Sequence, residues 1–239
     1  PNERFTYIGD NARFPYGDKK PVELKQHGLE LAEFLSKQGV KAIVIACGTL
    51  SSHLVKQVAQ EFHLPVFGVI ESTARELEKQ PKGRTIVWAT PATIESESYQ
   101  RRLNHHGKVD YQSCPSLAGQ VESSQLIELP SEADLIVLGC THYSWLSISG
   151  EVKKVDSGYE LAREVKSKLR DEGLLSKQST GESAFYFTGD IIKAQKLVSQ
   201  MFSSVKVKKI SLKEVLNVSC NRKTRGSSLA QEKRTQKLL

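Results

Sequence analysis

Ile43-Val44-Ile45-Ala46-Cys47-Gly48-Thr49 is an unbroken aliphatic run that ends in a cysteine, a glycine and a threonine. A near copy stands at Leu135-Ile136-Val137-Leu138-Gly139-Cys140-Thr141-His142. Runs of this kind read as strands buried on both faces of a parallel sheet. In open α/β sheets ligands bind beyond the carboxyl ends of the strands, which is where both cysteines fall. Two strands that each deliver a thiol to one crevice call for a chemical explanation.

Working outward, the flanking sequence alternates strand and helix. Phe5–Ile8 reads as a strand ending at Gly9-Asp10, and Phe14-Pro15-Tyr16-Gly17-Asp18 as a loop fixed by its proline and glycine. Pro21 suits a first helical turn, apolar residues from Leu24 to Leu35 form one face, and Gly39 ends the helix. Strand 41–46, a helix from Ser51 to Phe62 and strand Pro65–Ile70 follow. The order implies a parallel sheet with helices on both faces. Glu71 reads as a carboxylate at a helix N-terminus.

The pattern then restarts. Thr85–Ala89 is a strand closing in Thr90-Pro91-Ala92-Thr93, and a helix is expected from about Ile94 to Asn104. A short segment spans Glu122–Glu132 before the second cysteine strand. Val155-Asp156-Ser157-Gly158 opens a helix to about Glu172, and Ala184–Thr188 is a strand. Gly189-Asp190 caps a helix to about Phe202, and Val205–Leu212 is a last strand. Beyond Asn217 the chain is polar and without period, and is expected to be disordered. The architecture is therefore α/β, two similar parallel-sheet domains, with Cys47 and Cys140 on opposite walls of a cleft between them.

Composition excludes several classes. In 239 residues no apolar run approaches the length of a membrane helix, and no signal peptide opens the chain. The four cysteines, Cys47, Cys114, Cys140 and Cys220, are spaced for neither a disulfide framework nor a zinc site, so a reducing cytoplasm is expected. The net charge of +7 comes from the end of the chain: ten of the 34 lysines and arginines but two of the 27 acidic residues follow Val205. The rest is close to neutral, so nucleic acid is not expected as a partner.

A lone cysteine after a buried strand is ordinarily a small core residue. Two matched Cys-x-Thr turns outweigh that reading. Each thiol precedes a helix or turn start, where N–H groups and the helix dipole favour a thiolate. Thr49 and Thr141 add hydroxyls, and His142 stands ready to orient or exchange protons with a thiol or ligand. Thiols on opposite sides of a carbon centre can take a proton from one face and give one to the other, inverting its configuration. Cys140 and His142 alone make a poor metal site. His105-His106 reads as solvated and Cys114 as structural.

These residues resemble the cofactor-independent aspartate/glutamate racemase superfamily, and within it the glutamate racemases of peptidoglycan synthesis. The matching pieces are Tyr7–Gly17, Ile45–Thr49, Pro65–Glu71, Ala89–Ile94, Cys114-Pro115, Gly139–Tyr143, Asp156–Gly158 and Thr188–Asp190, in family order over about residues 3–213. The resemblance implies that Cys47 and Cys140 are the catalytic acid/bases. It implies that Tyr16, Gly17, Gly48, Thr49, Thr93, Thr141 and His142 bind glutamate, with no cofactor and no metal. It also implies one domain from residues 1–71 and 156–213, another from 72–155, a basic tail at 214–239, and a homodimer.

Three departures from the family pattern stand out. The family opens with a strand and an Asp-Ser-Gly loop, whereas this sequence begins at Pro1, after that point, and Asp156-Ser157-Gly158 lies elsewhere. The family's Cys-Asn-Thr is Cys47-Gly48-Thr49 here, which removes a side-chain amide and keeps the backbone N–H. Ser144 stands where proline is common. Two readings remain open at this point: an active racemase, or a degenerate racemase-like paralogue with little activity that acts as a binding protein.

Overall fold

The computed structural model describes residues 3–115, 117, 126–128, 132–177, 183–202 and 205–215. Cys220 and almost all of the basic tail lie outside them. In chain order the elements are β1 (Thr6–Gly9), α1 (Pro21–Lys37), β2 (Ile43–Ile45), α2 (Gly48–Phe62), β3 (Val66–Gly68), α3 (Val69–Leu77) and β4 (Arg84–Ala89). Then come α4 (Pro91–Glu95), α5 (Ser98–Leu103), β5 (Lys108–Ser113), β6 (Leu126–Glu128), β7 (Leu135–Leu138) and a 3₁₀ turn, Thr141–Trp145. The remainder is β8 (Ser147–Ser149), β9 (Lys153–Asp156), α6 (Ser157–Asp171), β10 (Ala184–Phe187), α7 (Ile191–Met201) and β11 (Val207–Lys209). The fold is two-domain α/β. The described residues form two compact units, one drawn from those within 3–14, 26–40 and 176–215, the other from those within 15–25 and 41–175.

In the first unit β1, β10 and β11 make a parallel sheet in that order, with Tyr7 opposite Phe185 and Phe185 opposite Val207. Phe185, Phe187, Ala194 and Val198 form its buried core, and Phe34 meets Tyr186 edge-on at 5.3 Å. The expected cap holds: the Asp190 carboxylate accepts the Ile192 and Lys193 N–H groups at 2.8 and 3.3 Å. Gly39, at φ +70°, ends α1 as expected, in a conformation that a side chain would strain.

The second unit contains every candidate site residue. Its main sheet runs β5-β4-β7-β9, all parallel, with Val87 opposite Tyr111 and Val137, and Val137 opposite Val155. The inner strands carry unbroken apolar runs because both faces are covered: Ile86, Val87, Ala89, Ile136 and Val137 have no exposed surface. Each of these isoleucine and valine side chains contributes roughly 1.5–3 kcal/mol by burial. Helices cover one face, through Val69, Ile70, Leu77 and Leu161. The other face packs on Tyr143 of the 3₁₀ turn and on Ile127 and Ile148. Those two belong to β6 and β8, a two-stranded parallel sheet that the sequence pattern did not disclose.

Burial of the opening stretch departs from expectation. Among the described residues β2 pairs with β3 alone, so it does not sit inside a sheet. Ile43 and Ile45 are buried while Val44 between them is 42% exposed, and the strand is three residues long. A two-stranded sheet with a helix on it has one covered face, which restores the alternation that the apolar run concealed.

Other boundaries shift for local reasons. Strand β3 ends at Gly68, and Val69-Ile70-Glu71 open α3, which makes Glu71 the first-turn carboxylate expected of it. The single helix expected from Ile94 to Asn104 is two, α4 and α5. The Ser96 hydroxyl donates to the Thr93 carbonyl at 2.6 Å and accepts the Ser98 N–H at 3.3 Å, competing with the helical ladder, and Glu97 turns to φ 53°. His106, expected in solvent, is buried, its N–H donating to the Leu103 carbonyl at 3.0 Å. His105 is exposed.

Candidate active site

Cys47 is the N-cap of α2, with extended backbone at φ −71° and ψ 121°. The carbonyl of Cys47 accepts the Ser51 N–H at 2.8 Å, so the thiol stands over the first turn. Burial pushes the Cys47 thiol above its usual value, against the Leu50 and Thr49 N–H groups and the Thr49 hydroxyl, which favour the thiolate. Cys140 repeats the arrangement at the 3₁₀ turn, with φ −125° and ψ 133°. Burial pushes its thiol up to about 12. The His142 and Tyr143 N–H groups oppose that shift, and charge on Cys47 or Cys114 adds to it.

A charge on Cys47 thus makes a charge on Cys140 harder to form. A thiolate on one disfavours a second on the other, so the pair holds a single negative charge more readily than two. That is the protonation state a two-base inversion needs: one group ready to take a proton, the other ready to give one.

The two cysteine turns meet backbone to backbone. A Cβ on Gly48 would lie 2.7 Å from the Gly139 carbonyl oxygen and 3.6 Å from Thr93 Oγ1. A Cβ on Gly139 would lie 2.7 Å from the Trp88 carbonyl oxygen and 3.3 Å from the Tyr99 ring. Two glycines thus stack α2, the β7 tip and β4 without side chains between them. Read from the sequence, Gly48 is a lost amide; in the fold it is the residue that lets the second cysteine strand approach.

The remaining candidates gather on the same unit. The Gly17 carbonyl accepts the Ala92 N–H at 3.1 Å, which fastens the Pro-Tyr-Gly loop to α4. Beside Gly17, Lys19 Nζ stands 5.9 Å from the centre of the Tyr16 ring. Thr49 and Thr93 are almost fully buried, and Thr141 is half-buried, its methyl 4.0 Å from where a Gly158 Cβ would be. His142 Nδ1 lies 3.7 Å from Cys140 Sγ, so the sequence neighbour is also a spatial one. The Cys114 backbone ties two elements together: its N–H donates to the Ala89 carbonyl at 2.9 Å and its carbonyl accepts the Tyr143 hydroxyl at 3.0 Å. Glu71 accepts from Arg102 Nη2 at 2.8 Å and from the Ser51 hydroxyl at 3.4 Å, holding helices together.

Two residues of the site were not singled out from sequence. Gly139 reads as a turn glycine, and nothing local tells what it must approach. Thr90 had a signal: Thr90 and Thr93 are three residues apart across a first helical turn, which makes neighbours of their hydroxyls. Among the described residues no three His, Cys, Asp or Glu side chains are placed to hold a metal ion. No helix among them is long and apolar enough to cross a membrane.

Known racemases share this fold. Residues 4–154 match the family model described as Asp/Glu/Hydantoin racemase. A glutamate racemase of Thermus thermophilus is 35% identical over 234 residues, covering 90% of this chain and 89% of the relative. Among solved structures, the Thermus thermophilus glutamate racemase in complex with β-chloro-D-alanine superposes with a TM-score of 0.76 at 33% identity, over 90% of this chain and 89% of that one. The Francisella tularensis glutamate racemase in complex with D-glutamate superposes with a TM-score of 0.79 at 28% identity, over 89% of both chains.

Proposed function

The chain belongs to the Asp/Glu/Hydantoin racemase family, in its glutamate racemase branch, and we propose that it interconverts L- and D-glutamate with Cys47 and Cys140 as the two acid/bases. One thiolate takes the Cα proton from one face, and the electron pair left on carbon delocalises into the adjoining carboxylate. The other thiol gives its proton to the opposite face and becomes the thiolate. The product is the other enantiomer, and the two cysteines have exchanged protonation states.

In this reading the Thr49, Thr93 and Thr141 hydroxyls, the Gly17 and Gly48 backbone, Tyr16 and His142 hold the two carboxylates and the ammonium group. The ammonium supplies the positive charge that makes a buried thiolate tolerable. No cofactor enters the scheme. The D-glutamate formed serves peptidoglycan synthesis in the cytoplasm, and the assembly is a homodimer.

The observation that carries the proposal is the direct approach of the two cysteine turns at Gly48 and Gly139. The coupling between the thiols supports it, since the pair prefers one charge to two. Polarimetry tests it. L-Glutamate is expected to lose its rotation while L-aspartate keeps it. Because burial raises both thiols, kcat/KM rises with pH, approaching about tenfold per unit between about pH 7 and 9 as the singly charged pair becomes populated. No loss of rotation at any pH would favour the binding paralogue instead.

A further inference from the structure

Thr90 stands at the N-cap of α4 with extended backbone, φ −69° and ψ 156°, where a threonine hydroxyl ordinarily accepts an N–H of the first turn. It makes no such bond. Its Oγ1 lies instead 3.0 Å from Thr49 Oγ1 and 2.9 Å from Thr93 Oγ1. The outer two hydroxyls are buried, at 2% and 1% exposure for their residues, so this chain of three replaces hydration for them.

A hydroxyl has one proton to give and two lone pairs to accept with, so committing the proton at one end of the chain sets the direction of both bonds. The Thr49 hydroxyl favours the Cys47 thiolate. With Cys47 charged, Thr49 gives its proton to sulphur, accepts from Thr90, and Thr90 accepts from Thr93. The charge fixes the direction, and a chain polarised in one sense is stronger than its separate bonds. Thr90 also braces the loop opposite. Its Cβ and Cγ2 would be 3.1 and 3.3 Å from a Cβ on Gly17, whose carbonyl the Ala92 N–H already holds.

We propose that Thr90 is a positioning residue for the reaction: its hydroxyl, gripped between Thr49 and Thr93, aims the Thr49 proton at the Cys47 sulphur and ties that thiol to the loop of Tyr16 and Gly17. The inference rests on the reading of Cys47 as an acid/base. The titratable and charged groups on the elements around Cys47 are His53, Lys56 and Glu61 on α2, Glu71, Arg75 and Glu76 on α3, Glu95 on α4, Tyr16, Asp18 and Lys19 in the loop, and Cys140 with His142 beyond the Gly48–Gly139 contact. All remain when Thr90 alone is changed.

The experiment is alkylation of the full chain by iodoacetamide as a function of pH, with Cys47 and Cys140 quantified separately by peptide mass spectrometry. Thr90→Val keeps the shape and removes the hydroxyl. Its Cys47 profile should move to higher pH by about one unit while that of Cys140 stays, and kcat/KM should fall about tenfold equally in both directions. Thr90→Ser should restore both. Thr90→Ala gives the same comparison without a second methyl against Gly17, should valine disturb the loop. An unmoved Cys47 profile in Val and Ala variants, an equal shift at Cys140, or a Ser variant as altered as Val would overturn the proposal. Alkylation needs no turnover, so wild-type protein that fails to racemise glutamate would sink the functional reading and leave the Cys47 profile to decide this one.

Discussion

A side chain at position 48 would collide with a backbone carbonyl, and a backbone carbonyl cannot swing aside as a flexible side chain can. Gly48→Ala therefore has to push α2 and the Cys140 turn apart or strain one of them. Overpacking of this kind costs about 1–3 kcal/mol, and a displacement near 1 Å at reacting groups costs on the order of 10²-fold in rate. The expected result is a lower melting temperature with kcat/KM down by that order. Gly48→Asn, which restores the amide the family pattern carries, should be no better than Gly48→Ala. A Gly48→Asn variant faster than wild type would show that the missing amide, not the close approach, limits the site. Both cysteines, Thr49, Thr93, Thr141 and His142 are legible in the sequence as candidates, and the fold brings them onto one unit with His142 beside the Cys140 thiol. Sequence alone misjudges Gly48, because a close backbone approach between residues 91 positions apart leaves no local pattern.

At the scale of elements, the two cysteine strands show what an apolar run can and cannot tell. Leu135–Leu138 is buried throughout because β4 and β9 flank it and both sheet faces are covered. Ile43–Ile45 has the same chemistry and one open face, because its sheet has two strands. Neighbours make that difference, and they are far away in sequence. Strand β9, half of which lies in the expected helix opening at Val155-Asp156, is hard to see in the sequence because its lysines hide any alternation, as edge strands often do. Asp156, at its end, caps α6 by accepting the Gly158 and Tyr159 N–H groups at 2.8 and 3.1 Å. Asp156→Ala should cost about 1 kcal/mol, a fall of roughly 2–4 °C in Tm for a chain this long, with Asp156→Asn retaining most of it. Thermal denaturation checks it. An unchanged Tm would mean that α6 is held by its apolar face alone.

At the scale of the molecule, alternation of strand and helix sufficed to read a two-domain α/β fold, because parallel strands demand crossover helices and the apolar runs mark the strands. The gathering of Tyr16, Gly17, Cys47, Thr49, Thr90, Thr93, Cys140, Thr141 and His142 on one compact unit was not readable in that way. Residues from position 16 to position 142 meet there through strand order and glycine contacts, which no local propensity encodes.

Whether Cys47 and Cys140 act as a two-base pair is decided by racemisation in deuterium oxide, following solvent deuterium at Cα of L- and D-glutamate by mass spectrometry for wild type, Cys47→Ser and Cys140→Ser. The two-base account predicts product carrying one solvent deuterium in either direction for wild type. It predicts racemisation lowered by about 10²–10⁴-fold in each single variant, since each removes a group that must act in every turnover. Either serine variant racemising at the wild-type rate would contradict it.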